Sequence, residues 1–178
     1  YIFAHNNQEY YDRFCHEFNK KYEMTKLGKL SNYLQINVSW TDEGVMLSQT
    51  QYIDQLAEIY CLDSCNPKLI PMQPRLNLKP SVIDSTTVPY RNLLMSLMWV
   101  ARNTRPDILY AVIYLSQFSN AYSDPHYTAL RVILKYLIGS KNRCLMFKKP
   151  DFNDIINLNT YSDSDWAGYQ TDRKTYSG

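Results

Sequence analysis

The chain has 178 residues, of which 45% are hydrophobic and 20% are charged. This composition allows one domain, or one domain plus fragments, with a buried core, and it excludes wholesale disorder. Nineteen Lys and Arg against seventeen Asp and Glu give a net charge of +2, so any surface for a polyanion has to be a local patch. There is no signal peptide and no apolar run of the roughly 18 residues that span a bilayer, which predicts an intracellular protein with reduced cysteines.

The first fifty residues predict a helix followed by a β-hairpin. Residues 10–23 place aromatic side chains at helical spacing, with most charges on the opposite side, which is typical of an amphipathic helix. Residues 33–38 favour a strand, 41–44 a turn, and 45–48 a returning strand. This is the strongest hairpin signal in the chain.

A second helix is predicted directly after the hairpin. Ser48 and Gln51 have the spacing of a capping box. The predicted apolar face consists of Tyr52, Ile53, Leu56, Ile59 and Tyr60. Residues 66–89 then contain five prolines, which predict an extended linker rather than a helix.

Three more helices are predicted in the middle of the chain. Two lie at residues 90–103 and 106–119, and the third has Asp124 as its predicted N-cap, Pro125 in its first turn and Gly139 at its end. Arg105 is expected to pair with Asp107 or to orient the start of a helix. His126 follows Pro125 in a first helical turn, where packing or capping is a simpler expectation than catalysis.

The last forty residues return to strand patterns, at 144–147 and 155–162. The second of these would place Asp163 and Asp165 on one face, because side chains alternate along a strand. Acids two residues apart are also common on solvated sheet edges, so the pair alone does not establish a metal site.

Several sequence blocks then occur in a characteristic order. They are MTKLGKL at 24–30, LSQ at 47–49, YRNL at 90–93, SLM at 96–98, TRPDI at 104–108, LKYL at 134–137 and YSDSDWAG at 161–168. In this order the blocks resemble the Pol polyprotein of copia-type retrotransposons, and the resemblance extends over essentially the whole chain. The parent polyprotein of that family copies RNA into DNA and is expected in a cytoplasmic particle or in the nucleus.

The resemblance implies an α+β fold in three parts. Residues 1–49 would be the end of a reverse transcriptase palm, with a hairpin similar to the one that contacts the primer. Residues 50–140 would be a helical thumb and connection containing the linker 66–89. Residues 141–178 would be the start of a truncated ribonuclease H domain, with its first strand.

The resemblance also implies where the catalytic groups lie. Family members carry a Tyr-x-Asp-Asp turn just before a segment like residues 1–4, and this motif does not occur in the chain. Asp163 would be the first ribonuclease H acid and a Mg²⁺ ligand in the intact parent, with its partner carboxylates outside the chain. Glu9 and Asp12 are expected to be solvated helix charges. The isolated chain is therefore expected to bind no cofactor and to be inactive alone.

Some positions depart from the family pattern. Gln35 and Met95 stand where glycine is usual, and Tyr127 stands where tryptophan is usual. Replacing a glycine by a long side chain can remove a close backbone approach. The departures are typical of a decayed genomic copy.

Binding remains the function to test. The candidate residues for an RNA/DNA hybrid or primer-template are Lys20, Lys21, Lys26, Lys29, Lys141 and Arg143. Such groups could follow a phosphate backbone in a salt-sensitive way, or they could be ordinary solvating charges. The alternative is a domesticated or relic helical interaction module without a nucleic-acid role.

Overall fold

The computed structural model describes residues 2–81, 88–150 and 160–161. In these ranges the fold is α+β, as predicted, with five α-helices and one four-stranded sheet. The helices are α1 (Gln8–Asn19), α2 (Thr50–Ile59), α3 (Tyr90–Asn103), α4 (Leu109–Ser116) and α5 (Asp124–Gly139), with a 3₁₀ turn at Pro106–Ile108 before α4. The strands are β1 (Asn32–Tyr33), β2 (Ile36–Thr41), β3 (Gly44–Ser48) and β4 (Leu145–Lys148).

The sheet is antiparallel throughout, in the order β1-β2-β3-β4. The predicted hairpin is confirmed as β2 and β3. Its first strand begins later than predicted because Leu34 and Gln35 have φ angles of +48° and +66°. Two consecutive left-handed residues between paired strands form a type I′ turn, which matches the twist of the sheet. The predicted strand at 144–147 becomes β4 and pairs with β3, so the sheet unites strands from both sides of the helical segment.

The hydrophobic core lies among α2, α3, α4 and α5. Its fully buried members include Ile53, Leu93, Leu97, Ile108, Leu115, Leu130, Ile133, Leu134 and Leu137. The three predicted helices are present, although the 106–119 prediction divides into the 3₁₀ turn and α4. The start of α5 needs a correction, because Ser123 and not Asp124 is the N-cap residue.

The start of α2 also differs from the prediction. The capping box of Ser48 and Gln51 is wrong, because Ser48 belongs to β3 and the N-cap residue is Gln49, whose side chain makes no capping hydrogen bond. Ile59 was predicted on the apolar face but is 68% exposed. Gln49 is instead buried and accepts a hydrogen bond from the Thr104 hydroxyl at 2.8 Å.

Residues 66–81 contain no helix or strand, as predicted, but they are not extended throughout, because the chain bends at residues 69–72 and Arg75 has a φ of +59°. This segment, called the strap below, is fastened to the helices. The Lys68 amide donates to the Lys135 carbonyl, and the Ser81 amide donates to the Ala121 carbonyl at 2.7 Å. Between these points the Tyr114 hydroxyl bridges two backbone groups of the strap. The strap is therefore an integral part of the helical unit.

Within the described ranges, none of the helices combines the length and the apolar character that crossing a bilayer requires.

Candidate nucleic-acid interface

Lys20 and Lys21 lie just beyond the end of α1 and are exposed. Lys20 donates a hydrogen bond of 2.6 Å to Glu17, one helical turn earlier. This bond lowers the pKa of the Glu17 carboxyl. Because both side chains remain largely exposed, the pair is weak and either member can exchange partners. Glu9 and Asp12 are exposed helix residues, as predicted.

Lys26 and Lys29 lie on the segment that leads from α1 to the sheet. The Lys26 ammonium is 4.0 Å from Asp12 and 5.2 Å from the centre of the Tyr11 ring. The Lys29 ammonium is 4.5 Å from the centre of the Trp40 ring on β2. Among the described residues, no carboxylate lies within 4.0 Å of Lys29, which leaves its charge available to an anion.

Lys141 and Arg143 lie in the loop between α5 and β4 and are already engaged. Lys141 pairs with Asp54 of α2 at 2.7 Å. Arg143 lies 3.8 Å from Asp107 and donates to the Tyr136 hydroxyl at 3.0 Å. These contacts tie the loop to the helical unit. A phosphate would have to compete with them, so these two residues are weaker candidates than Lys26 and Lys29.

The same loop is fixed by a buried arginine. Arg105 donates two hydrogen bonds to Asp107 and two to Ser140, and only 3% of its side chain is exposed. Burial raises the pKa of the Asp107 carboxyl, but hydrogen bonds from Arg105 and Tyr136 outweigh it and lower the pKa overall. The predicted Arg105–Asp107 pair is confirmed, and it is part of the framework rather than of the candidate interface.

His126 is also a structural residue, as predicted. Its Nδ1 accepts from the Ser123 amide at 3.1 Å and is 2.9 Å from the Ser123 hydroxyl, which completes a capping box at the start of α5. Only 2% of His126 is exposed. Burial lowers its pKa, which favours the neutral ring that the cap requires.

The sequence did not single out the aromatic residues of the sheet. Trp40 and Phe147 are 49% and 54% exposed. The strand register pairs Trp40 with Val45 and Val45 with Phe147, so the three side chains form one row across β2, β3 and β4. The alternation of apolar residues at positions 38, 40, 45 and 47 could have indicated that they share one face of the hairpin. It could not have indicated that β4 pairs with β3 and adds Phe147 to that face.

Two of the departures from the family pattern have a local structural context. Gln35 has a positive φ and is exposed, so a glycine would be favoured there by backbone conformation rather than by a close approach. Met95 is 64% exposed on α3, and its long side chain lies largely in solvent.

Asp163, the predicted ribonuclease H acid and metal ligand, lies outside the described residues, as does Asp165. Within the described ranges, no three His, Cys, Asp or Glu side chains come together in a group that could hold a metal ion.

Comparison with known proteins gives a consistent family relationship. Residues 1–74 match the family model described as reverse transcriptase (RNA-dependent DNA polymerase). The chain is 36% identical over 152 residues to the retrovirus-related Pol polyprotein from transposon RE1 of Arabidopsis thaliana, a match of 84% of this chain and 10% of that polyprotein. It is 30% identical over 172 residues to the corresponding polyprotein from transposon TNT 1-94 of Nicotiana tabacum, covering 91% of this chain and 13% of that polyprotein.

A shorter relative is the uncharacterized mitochondrial protein AtMg00810 of Arabidopsis thaliana, which is 28% identical over 166 residues, with 91% of this chain and 66% of that protein covered. No solved structure gives a significant match.

Residues 1–74 match the reverse transcriptase family model, and the α+β fold is compatible with a segment of a reverse transcriptase. Over most of its length the chain is similar to retrotransposon Pol polyproteins, as its sequence blocks predicted. It spans about a tenth of the length of the polyproteins named above.

Proposed function

We propose that this chain is the part of a reverse transcriptase that supplies a surface for binding the primer-template without sequence preference. We also propose that the chain alone has no polymerase or ribonuclease H activity. The parent polyprotein would perform RNA-directed DNA synthesis. Mg²⁺ would be held there by Asp163 together with carboxylates that this chain does not supply.

The observation that carries the proposal is the position of Lys26 and Lys29 beside the sheet. Lys29 contacts Trp40 and no carboxylate of the described residues. Lys26 lies 4.0 Å from its acid partner Asp12, which is the outer limit of an ion pair. Ammonium groups with weak or no ion pairs can release counterions from a phosphate backbone on binding. Lys20 and Lys21, both exposed, extend the same positive segment toward α1.

A second candidate is an interaction module without a nucleic-acid role. It is favoured by a specific observation, because Lys20, Lys141 and Arg143 are all held in intramolecular pairs. If those pairs persisted in solution, the net positive charge available to a phosphate backbone would be small.

The experiment that separates the candidates is hybrid binding as a function of salt. Affinity for an RNA/DNA hybrid is measured by fluorescence anisotropy for the wild-type chain and for a variant with Lys20, Lys21, Lys26 and Lys29 changed to Gln. The matched control removes four positive charges elsewhere, at Lys68, Lys79, Arg102 and Lys135. In the first variant, the slope of log affinity against log salt should become shallower by about one unit for each phosphate-binding lysine that is removed. In the control, the slope should stay the same.

Two results would contradict the proposal. Absence of hybrid binding at low salt would favour the interaction module. An equal decrease of the salt slope in both variants would show that only the net charge matters and that the four lysines near the hairpin have no special role. Separately, metal-dependent nucleotide incorporation by the purified chain would contradict the proposed lack of activity.

A further inference from the structure

The indole ring of Trp40 is held in a defined orientation on the surface of β2. Its Nε1–H donates a hydrogen bond of 2.7 Å to the Leu30 carbonyl, while 49% of the residue remains exposed. A large exposed aromatic ring that is already ordered loses little freedom when another flat group stacks on it. Trp40 is therefore suited to bind a planar partner.

Trp40 belongs to an apolar strip that crosses three strands. The strip consists of Trp40, Val45 and Phe147, which are neighbours in the strand register. Two strand spacings of about 4.8 Å separate its ends, so the two aromatic residues are about 10 Å apart. Val38 and Leu47 lie on the same face and are less exposed, so the strip is the accessible part of a packed surface.

Charges next to the strip indicate an anionic partner. Lys29 lies above the Trp40 ring at 4.5 Å, and the exposed Lys149 follows the end of β4, two residues after Phe147. Asp42 and Glu43 form the turn that follows β2, and they would repel a phosphate placed there. A partner that combines flat apolar groups with negative charge, and that approaches from the Lys29 side, fits this arrangement better than an apolar peptide does.

We propose that Trp40 stacks on an unpaired base of a nucleic acid, and that the flexible Lys29 side chain, which lies over the ring in the free chain, turns to contact a neighbouring phosphate. This inference rests on the proposed nucleic-acid role and makes it more specific. The bases of a duplex are paired and stacked on each other, so they cannot stack on the Trp40 ring. The site takes single-stranded RNA or DNA, with no sequence preference, since every base offers a flat face.

The experiment uses the whole chain with Trp99→Phe and Trp166→Phe, which leaves Trp40 as the only one of the three tryptophans. The probes are an oligothymidylate of about ten nucleotides, within the usual size of such sites, and an abasic strand of the same length and charge. We expect oligothymidylate to quench the Trp40 fluorescence to saturation. The abasic strand should bind through the lysines without quenching.

Affinities measured by anisotropy of labelled strands test the same site in variants. Trp40→Leu should weaken oligothymidylate binding about 5- to 100-fold and leave abasic binding unchanged. Trp99→Leu is the matched control, since Trp99 is a partly exposed tryptophan on α3, and it should change neither affinity. Lys29→Gln should reduce the salt dependence while full quenching is still reached at saturation. Unfolding midpoints establish that each variant is folded.

The two proposals fail in different ways. Equal affinity for both strands, unchanged by Trp40→Leu, would overturn base stacking and leave backbone binding intact. Quenching by the abasic strand equal to that by oligothymidylate would overturn it as well. Loss of all binding at low salt, to these strands and to the hybrid, would overturn the proposed function together with this inference.

Discussion

The guanidinium of Arg105 donates two parallel hydrogen bonds to the carboxylate of Asp107, at 2.9 and 2.8 Å. The same guanidinium donates to the Ser140 carbonyl and hydroxyl at 2.9 and 2.7 Å. One side chain thus joins the 3₁₀ turn before α4 to the end of α5, from which the chain continues into β4.

We expect Arg105→Lys to destabilise the chain by about 3 kcal/mol. Lysine cannot make the paired contact with Asp107 and reach Ser140 together, and breaking a buried ion pair typically costs about 3–5 kcal/mol. The lower end of this energy range applies because the Asp107 side chain is 34% exposed, so its carboxylate can be hydrated once Arg105 is replaced. Urea unfolding provides the measurement, with exposed Arg102→Lys as the control. A change below about 0.5 kcal/mol would contradict a structural role for Arg105.

Local features could be predicted from the sequence better than distant contacts. The hairpin, α3 and the end of α5 at Gly139 follow from periodicity and turn residues that lie within the element itself. The Arg105–Asp107 pair was also predictable, because its partners are two residues apart. These features depend on short stretches of the chain.

The features that were missed depend on partners far away in sequence. The start of α2 was predicted wrongly because Gln49 is stabilised by Thr104 rather than by a local cap. Lys141 and Arg143 were candidates for phosphate binding, and no sequence pattern indicated their pairing with Asp54 and Asp107. The Trp40 strip depends in the same way on the register between β3 and β4.

Protonation of His126 should make the chain less stable in mild acid. Its pKa is lowered from 6.5 in the folded chain, so the unfolded chain binds the proton at a higher pH. The stabilisation from neutral His126 is therefore complete above pH 6.5 and is lost as the pH falls through that value toward the folded pKa. The free energy of unfolding should decrease by up to about 1.4 kcal/mol per pH unit in this window.

His126→Gln tests the source of this pH dependence. Glutamine at the same position can complete a capping box with Ser123 but does not titrate. Urea unfolding between about pH 8 and about pH 5 should show a smaller pH slope for this variant than for the wild type. His16→Gln, at an exposed position in the last turn of α1, is the matched control for the histidine-to-glutamine change itself. An unchanged slope in His126→Gln would rule out His126 as the titrating group.

Gln35→Gly should stabilise the chain by about 1 kcal/mol. Gln35 has a φ of +66° in the turn between β1 and β2. This left-handed conformation costs a residue with a Cβ about 1–2 kcal/mol relative to glycine. Part of the gain is lost because glycine makes the unfolded chain more flexible. Gln55→Gly, at an exposed position in the middle of α2, is a matched control that should instead destabilise by about 1 kcal/mol. Thermal unfolding of both variants gives the comparison, and destabilisation by Gln35→Gly would contradict the assigned turn.

Gly139→Ala should loosen the strap from α5. A Cβ at Gly139 would lie 2.6 Å from the Cβ of Pro67, which is closer than two carbon atoms can approach, and the proline ring cannot rotate away. We expect a loss of about 1–3 kcal/mol in unfolding free energy, together with faster proteolytic cleavage in residues 66–81. Pro67→Gly removes the opposing carbon, so the double variant should recover part of the loss caused by Gly139→Ala. The coupling measured by this double-mutant cycle distinguishes a collision with the strap from a general effect on α5, for which the two losses would simply add.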